Sequence, residues 1–457
     1  MQKTDNIIET HVLDKNFFVI KSSAVNYEYI ETPVKVSAEK LKRDIAPWGA
    51  DNNIPDLLIL SVGKNPVASA CLPFNIDLSY GSGLKIGSMS SGKFVEFDLI
   101  ARRSRKELEQ VYQFIEDNDI NNQLLENISD LHWFNQAFVE LILDKNEPGK
   151  RKIVQYTAKE STYSRFEVQN PDTGEIERHA YSAKWASSPK AEEINVTPVL
   201  SYKSPLFDLL RKLGRRPTLE GTIKTENEYR YILPIRIPTP GKLYYPKPYW
   251  VSAVDSGWMD FANAIPEYKK AYMLNSMSIK YIIEISETYF SRIFNDEGIQ
   301  TKEAQQERKR KEIENINSFL KGTTAAGKSM ITYKRRIANM EEEIPEVKIA
   351  VLNTHLGGEY IEDSHEASAL IYTAFRVHPS LIGVIPGKTT SNLSGSDKRE
   401  LLRIQQTMQK KIRDAILKPL YVVKTINKWP EDVVFAISDI ILTTLDTNNE
   451  VSSITVV

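Results

Sequence analysis

The chain has 457 residues, enough for two or three ordinary domains or for one elongated subunit built from several segments. Hydrophobic residues make up 41% and charged residues 26%, the composition of a folded chain rather than a disordered one. Lys plus Arg (59) against Asp plus Glu (60) leaves a formal charge of −1, which excludes a protein that grips nucleic acid by bulk positive charge but not one that DNA passes without sticking.

The single cysteine, Cys71, rules out an intrachain disulfide and reads as a small apolar side chain in a reducing compartment. The start MQKTDNIIETHV is polar and acidic, unlike a signal peptide. No apolar run approaches the roughly 20 residues that span a bilayer, so an aqueous, cytoplasm-like setting without a membrane is expected.

In chain order, residues 1–46 alternate short apolar runs (FFVI, YEYI, VKVS) with polar turns, the mark of an N-terminal arm with β-character. PWGADNNIPDLL (47–58) opens with turn residues and runs into apolar LLILSV. The stretch 65–81 reads as a helix stopped by Gly81 and followed by a turn into a strand. Residues 104–127 carry helical periodicity and charge pairing, and HWFNQAFVELILDKN continues as a buried helix or strand. From 151 to 240 the pattern changes to short β-like runs, with NPDTGE as a hairpin turn.

Residues 246–278 are largely helical and aromatic, with Pro266 inside, where it starts a new helix or kinks a long one. A strand is predicted at 280–286, a highly charged helix at 301–321, a strand at 328–335 and a helix at 357–376. PGKTTSNLSGS (386–396) is a Gly/Ser/Thr-rich loop. An amphipathic helix is predicted over 397–420, with Leu401, Leu402, Ile404, Met408, Ile412 and Ile416 mainly on one side and a capping box from Ser394 and Asp397. The tail, 433–445, is strand-like.

One stretch raises an enzymatic reading. Gly322, Gly327, Lys328 and Ser329 satisfy the phosphate-loop pattern G-x-x-x-x-G-K-[ST]. A working loop of this kind lies between a buried strand and the helix whose N-terminus faces the phosphates. Here a charged helix comes before and a strand after, so the upstream helix would present its partly negative end. The plainer reading is a small-residue loop joining helix to strand, with Lys328 solvated. The six histidines (His11, His132, His179, His355, His365, His378) show no close ligand pairing, and the acidic groups at 341–343 and 359–366 read as solvated faces or subunit contacts. No catalytic residue, cofactor or metal is assigned.

Several stretches, in order, resemble the portal (head–tail connector) proteins of tailed bacteriophages. PWGADNNIPDLL resembles the family's W-G-x-D-N-x-x-P segment, and NPVASACLPFNIDLSYGSGL the helix ending in G-x-G-L. YYPKPYWVSAV resembles the aromatic approach to the first stem helix, with Pro246 where a glycine is usual. AYMLNSMSIKYIIEI and FLKGTTAAGKSMITY resemble the two sides of the clip, and FRVHPSLIGVIPGKTTSNLSGSDKRELL the segment carrying the tunnel loop. The resemblance spreads over about residues 45–425.

It implies an α+β, portal-like elongated subunit: an N-terminal arm and β-rich wing (1–245), a first stem helix region (246–278) and a small α/β clip (279–345). A second stem helix region (346–385), the tunnel loop (386–396), and a long helix with a C-terminal wing strand (397–457) follow, with little or no crown. The implied assembly is a homo-oligomeric ring, usually of twelve subunits, at one vertex of the virion capsid and assembled in the host cytoplasm. Its implied partners are double-stranded DNA passing non-specifically, the terminase large subunit, a neck or adaptor protein and the major capsid protein. Lys388, Thr389, Thr390, Ser391, Asn392, Leu393 and Ser394 would line the channel, where a single cation among small polar residues limits drag on DNA. Lys302, Arg308, Lys309, Arg310 and Lys311 would form an exchangeable clip interface to terminase or adaptor. A P-loop nucleotidase using Gly322–Ser329 is the alternative function, and a non-channel minor capsid or scaffold protein a further one.

Overall fold

The structure, a computed structural model, describes residues 9–14, 17–21, 43–187, 189–217, 221–276, 281–320, 334–336, 343–345, 347–351, 359–382, 395–440 and 454–456. The fold is α+β, as expected from sequence. The chain forms two compact units, Met1–Asn263 with Ile361–Val457, and Ala264–Tyr360.

The first unit opens with a hairpin of β1 (Glu9–Asp14) and β2 (Phe17–Lys21), within the arm predicted to have β-character. Helix α1 (Ile54–Lys64) and helix α2 (Pro66–Tyr80) each begin with proline in the first turn, where the missing N–H costs nothing. Asn65 caps α2 by accepting from the Ala68 N–H at 3.0 Å. Gly81 (φ +55°) ends the helix, and a Cβ there would collide with the Ser438 carbonyl oxygen. The chain then turns into β3 (Leu84–Ser90) and β4 (Lys93–Glu96), as the glycines predicted.

After α3 (Leu99–Ser104), the helix expected over 104–127 is two helices, α4 (Lys106–Asp117) and α5 (Ile120–Phe134). The break is at Asp119, whose φ of +44° cannot continue a right-handed helix. Neighbouring Asn118 uses it: its Nδ2 donates to the Phe114 carbonyl and its Oδ1 accepts from the Tyr156 N–H, both at 2.9 Å. The run 132–146 is both alternatives in turn, since α5 ends at Phe134 and β5 (Gln136–Leu143) follows left-handed Asn135. The β-like region carries β6 (Ile153–Lys159), β7 (Ser164–Phe166), β8 (Arg178–Tyr181) and β9 (Asn195–Pro198), and then β10 (Arg230–Arg236) beyond α6 (Pro205–Lys212). Sequence reasoning missed α6, although Pro205 stands in its first turn and Asp208 accepts from the Ser201 N–H at 2.9 Å. The NPDTGE turn forms between β7 and β8, closed by Gly174 N–H to the Asn170 carbonyl at 2.8 Å.

Helix α7 (Ser252–Asp255) precedes α8 (Trp258–Ser276), which contains Pro266 without interruption. The second unit then holds β11 (Tyr281–Ile285), α9 (Glu287–Asp296), α10 (Lys302–Leu320), β12 (Lys334–Arg336), β13 (Glu343–Pro345) and β14 (Val347–Val351). β11 pairs with β14 and β12 with β13, all antiparallel. Helix α11 (Glu359–Ala374) matches the predicted 357–376, and α12 (Pro379–Ile382) follows.

The amphipathic helix predicted over 397–420 is also two helices, α13 (Gly395–Met408) and α14 (Lys410–Asn427). Its expected apolar stripe is split as well. Ile412 and Ile416 are buried, but Ile404 and Met408 are 60% and 42% exposed. The buried residues of α13 are instead Gln405 and Gln406, one turn after the half-buried Leu401 and Leu402 on the same face. The predicted C-terminal strand is β15 (Val434–Ser438), with β16 (Ile454–Val456) beside it; residues 441–445 and the Ser394 cap lie outside the described residues.

The sheet order β16-β15-β3-β4 joins the two ends of the chain, with Val434 opposite Gly87 and Ile437 opposite Leu84. A second sheet has the order β10-β5-β6 and a third β7-β8-β9. Among the described residues the first unit has two large apolar cores and a small third cluster of Ile45, Ala180, Trp185 and Ile194. One surrounds α14, whose Leu417, Leu420, Val423 and Ile426 lie among residues of α5, β5 and β15. The other gathers Trp48, Tyr245, Trp250 and Phe375, with Trp48 stacked on Tyr245 at 4.5 Å and Trp250 on Phe375 at 5.3 Å.

Candidate functional site

The tunnel-loop residues Lys388–Ser394 and the phosphate-loop residues Gly322–Ser329 lie outside the described residues. Their surroundings are described. Helix α10 ends immediately before Lys321 and β12 begins at Lys334, the reverse of the strand–loop–helix order a phosphate cradle requires.

The predicted clip cations all stand on α10, and most of them are engaged within their own unit. Arg308 grips Glu297 with two nitrogens (2.8 and 3.0 Å) and Glu312 with a third at 2.7 Å. Those bonds hold the Glu297 and Glu312 carboxyls below the usual carboxylate range, and push the Arg308 guanidinium up. Lys309 lies over the Phe290 ring of α9 at 5.2 Å. Arg310 pairs with Glu314 and Lys311 with Glu307, each at 3.2 Å and largely in solvent, where such pairs hold weakly. Lys302, in the first turn, is exposed. Helix α9, which the sequence reading passed over, therefore supplies the surface on which Arg308 and Lys309 are fixed. Its signal was present: Phe290 and Phe294 sit one turn apart on a short stretch after Ser286. Arg310, Lys311 and Lys302 are the members left able to exchange partners.

A larger polar constellation joins α2, α5, α13 and α14 in the first unit. Asn75 Nδ2 donates to the Phe375 carbonyl at 3.0 Å, and Gln405 Nε2 donates to Asn75 Oδ1 at 3.1 Å and to the Arg376 carbonyl at 2.6 Å. Ser79 Oγ donates to Gln409 Oε1 at 2.9 Å and lies 2.8 Å from His132 Nε2. A hydroxyl has one proton, so Ser79 accepts from His132 Nε2–H, and His132 Nδ1 accepts from the Tyr249 hydroxyl at 3.4 Å. Burial, followed by the nearby Lys411 charge, lowers His132 to about 3, so its imidazole is neutral. Arg413, fully buried, donates to the Leu78 carbonyl at 2.7 Å, the Ser79 carbonyl at 3.1 Å and Asp439 at 2.5 Å. Its cation thus caps the negative end of α2.

These groups spend their hydrogen bonds on one another, which suits them to holding rather than reacting. They tie Phe375 and Arg376, on the approach to α12, to α13. These are the two described flanks of the predicted tunnel loop. The sequence reading missed Asn75, Ser79, Gln405, Gln409 and Arg413 because it searched for apolar stripes. Polar residues recurring at helical spacing were the available signal.

The W-G-x-D-N segment has a similar role. Asn52, left-handed at φ +55°, accepts from the Trp48 N–H at 2.8 Å and from Arg165 Nε at 2.5 Å. Arg165 is buried between the Trp48 and Trp185 rings, each 5.4 Å away. Cys71 is buried in the second core and desolvation pushes its thiol up to about 12, which is the small apolar side chain expected. His355 and Glu341 and Glu342 lie outside the described residues, while the acidic run 359–366 begins α11. Among the described residues no group of three His, Cys, Asp or Glu side chains could hold a metal.

Neither a family model nor a curated protein matches this sequence. Solved structures do. A chain from the neck of an empty GTA particle, computed with C6 symmetry, matches with a TM-score of 0.52 and 13% identity over 87% of this chain and 86% of that one. A chain of the virion of a native gene transfer agent particle gives 0.47 at 12% identity over 87% and 86%. A chain of the native GTA neck with C12 symmetry gives 0.49 at 13% identity over 83% and 82%. The protein therefore shares its fold, over most of its length, with a neck chain of a gene transfer agent particle, in keeping with the portal resemblance carried by its sequence motifs.

Proposed function

We propose that this protein is a portal subunit: it forms a ring, of twelve copies, at one capsid vertex, through which DNA is packed by a terminase and later leaves. The carrying observation is the likeness in fold to a particle-neck chain, which runs nearly end to end through both chains. The ordered sequence motifs and the near-zero net charge support the same reading, since a conduit for kilobases of DNA must avoid tight phosphate contacts.

In this reading residues 1–245 and the C-terminal strand form the wing, 246–278 and 346–385 the stem, and 279–345 the clip that meets terminase and then the neck adaptor. The loop 386–396 projects into the channel, and the Asn75–Gln405 bonds hold its described flanks. The major capsid protein surrounds the wing, and the protein itself carries out no hydrolysis.

Negative-stain microscopy of the purified protein tests this. Annular particles with a central hole wide enough for duplex DNA are expected. A strictly monomeric species at high concentration in every buffer would overturn it, and rings without such a hole would favour a non-channel head protein.

A further inference from the structure

Strands β9 and β10 run parallel and touch through a bridge between Val199 and Ile232, supported by Leu200 N–H to the Ile232 carbonyl at 2.8 Å. On the N-terminal side of that bridge they diverge. Among the described residues β9 forms a ladder only with β8 and β10 only with β5, so before the bridge each turns an edge without a ladder partner toward the other. The space between them is a cleft of about 520 Å³ lined by 194–198, 228–230 and Ile232. An open strand edge is a template for another strand, and two facing edges are a template on both sides.

The floor of the cleft has the same unfinished character. His179 is 1% exposed, lines the cleft, and among the described residues has no hydrogen-bond partner at either ring nitrogen. A buried imidazole in that state forgoes the bonds it had in water, a cost that an incoming polar group removes. Beside it, Glu140 is buried between Arg230 (2.7 Å) and Lys159 (3.2 Å), one buried carboxylate against two cations, while the other lining carboxylates, Glu192 and Glu228, are exposed.

We propose that this cleft takes an extended strand from the N-terminal arm of a second copy of this chain, an inference that rests on the ring reading. The subunit's own arm joins the β7-β8-β9 sheet at its far edge: Ala46 N–H donates to the Phe166 carbonyl and Val168 N–H to the Asp44 carbonyl, on the outer side of β7. The arm thus departs from the edge opposite the cleft. Among the described residues its hairpin, β1 with β2, pairs only with itself, and a two-stranded hairpin is not stable alone in water. The following stretch Val25-Asn26-Tyr27-Glu28-Tyr29 alternates apolar and polar residues, the pattern of a strand with two different faces. Its polar face offers Asn26 as a carboxamide for His179 and Glu28 as a second carboxylate for Lys159 and Arg230. A cleft on one copy filled by an arm from the next is a heterologous contact, which repeats around an axis and closes into a ring.

The test uses two differently tagged full-length chains, one with Thr197→Cys on β9 and one with Asn26→Cys, mixed before assembly and then oxidised. The buried, high-pKa Cys71 does not compete. In fractions that show rings by negative stain, a cross-linked band of two subunits carrying both tags is expected, and adding Glu28→Lys should lower its yield several-fold. Rings without that band overturn the inference and leave the ring reading intact. So does a chain bearing both cysteines that closes only on itself, at monomer mass. If no rings form, the ring reading fails and takes this inference with it.

Discussion

Removing the Arg413 guanidinium should reveal how α14 is held to the end of α2. Arg413→Met keeps much of the aliphatic volume but withdraws donors from the Leu78 and Ser79 carbonyls and from Asp439. The side chain is 1% exposed and that of Asp439 13%, so solvent screens the pair little. Breaking one partner of a buried ion pair costs about 3–5 kcal/mol, because the other charge stays behind unpaired. At roughly 2–4 °C per kcal/mol for a sizeable domain, the melting temperature should fall by about 6–20 °C. Arg413→Met with Asp439→Leu should regain part of that loss, since no stranded carboxylate remains. Lys410→Met, which removes an exposed pair with Asp414 on the same helix, should cost about 0.5 kcal/mol or less. The assay is thermal or urea unfolding by circular dichroism. A loss below about 1 kcal/mol for Arg413→Met would show that water substitutes for the guanidinium, and the reasoning would be refuted.

Gly81→Ala should destabilise by more than about 2 kcal/mol, since it combines a positive φ with a Cβ driven into the Ser438 carbonyl; a melting temperature unchanged by the substitution would contradict the close approach. His132, lowered to about 3 by burial, stays neutral when folded, while the unfolded chain takes up its proton near pH 6.5. Stability should therefore fall as pH drops from 6.5 toward 3, by up to about 1.4 kcal/mol per pH unit. His179 adds the same sign, whereas Asp130, pushed up to about 7 by burial, is protonated when folded and opposes one of them between about pH 4 and 7. Urea titrations from pH 7 to 5.5 should show the slope fall by about one proton in His132→Gln, and an unchanged slope would count against a neutral buried imidazole. Arg310→Glu with Lys311→Glu should weaken binding of terminase or adaptor while leaving stability within about 0.5 kcal/mol, because both ion pairs lie in solvent; unaltered partner binding would remove these residues from the interface. Deleting Thr389–Ser394 should impair packaging or DNA retention while rings still assemble, with genome content as the readout; normal content would refute the tunnel-loop role.

Where local chemistry decides conformation, the sequence sufficed. The stretch 65–81 with Gly81 as its stop marked α2 to within a residue, and the glycine turn, the charged helix α10 and the strand β11 were equally legible. The helix before Gly322–Ser329 and a strand after it also followed from local pattern, as α10 and β12 show. What local pattern could not supply was which face of a helix meets the core. On α13 the tertiary structure buries glutamines and exposes Ile404 and Met408, because the partners waiting there are Asn75, 330 residues away along the chain, and the backbone carbonyls of Arg376 and Ile440. The breaks at Asp119 and Gln409 belong to the same class: a helix stops where tertiary contacts outweigh propensity. The pairing of β3 with β15 and the cleft between β9 and β10 were invisible for the same reason. Strand edges acquire partners, or lack them, only once distant segments are brought side by side.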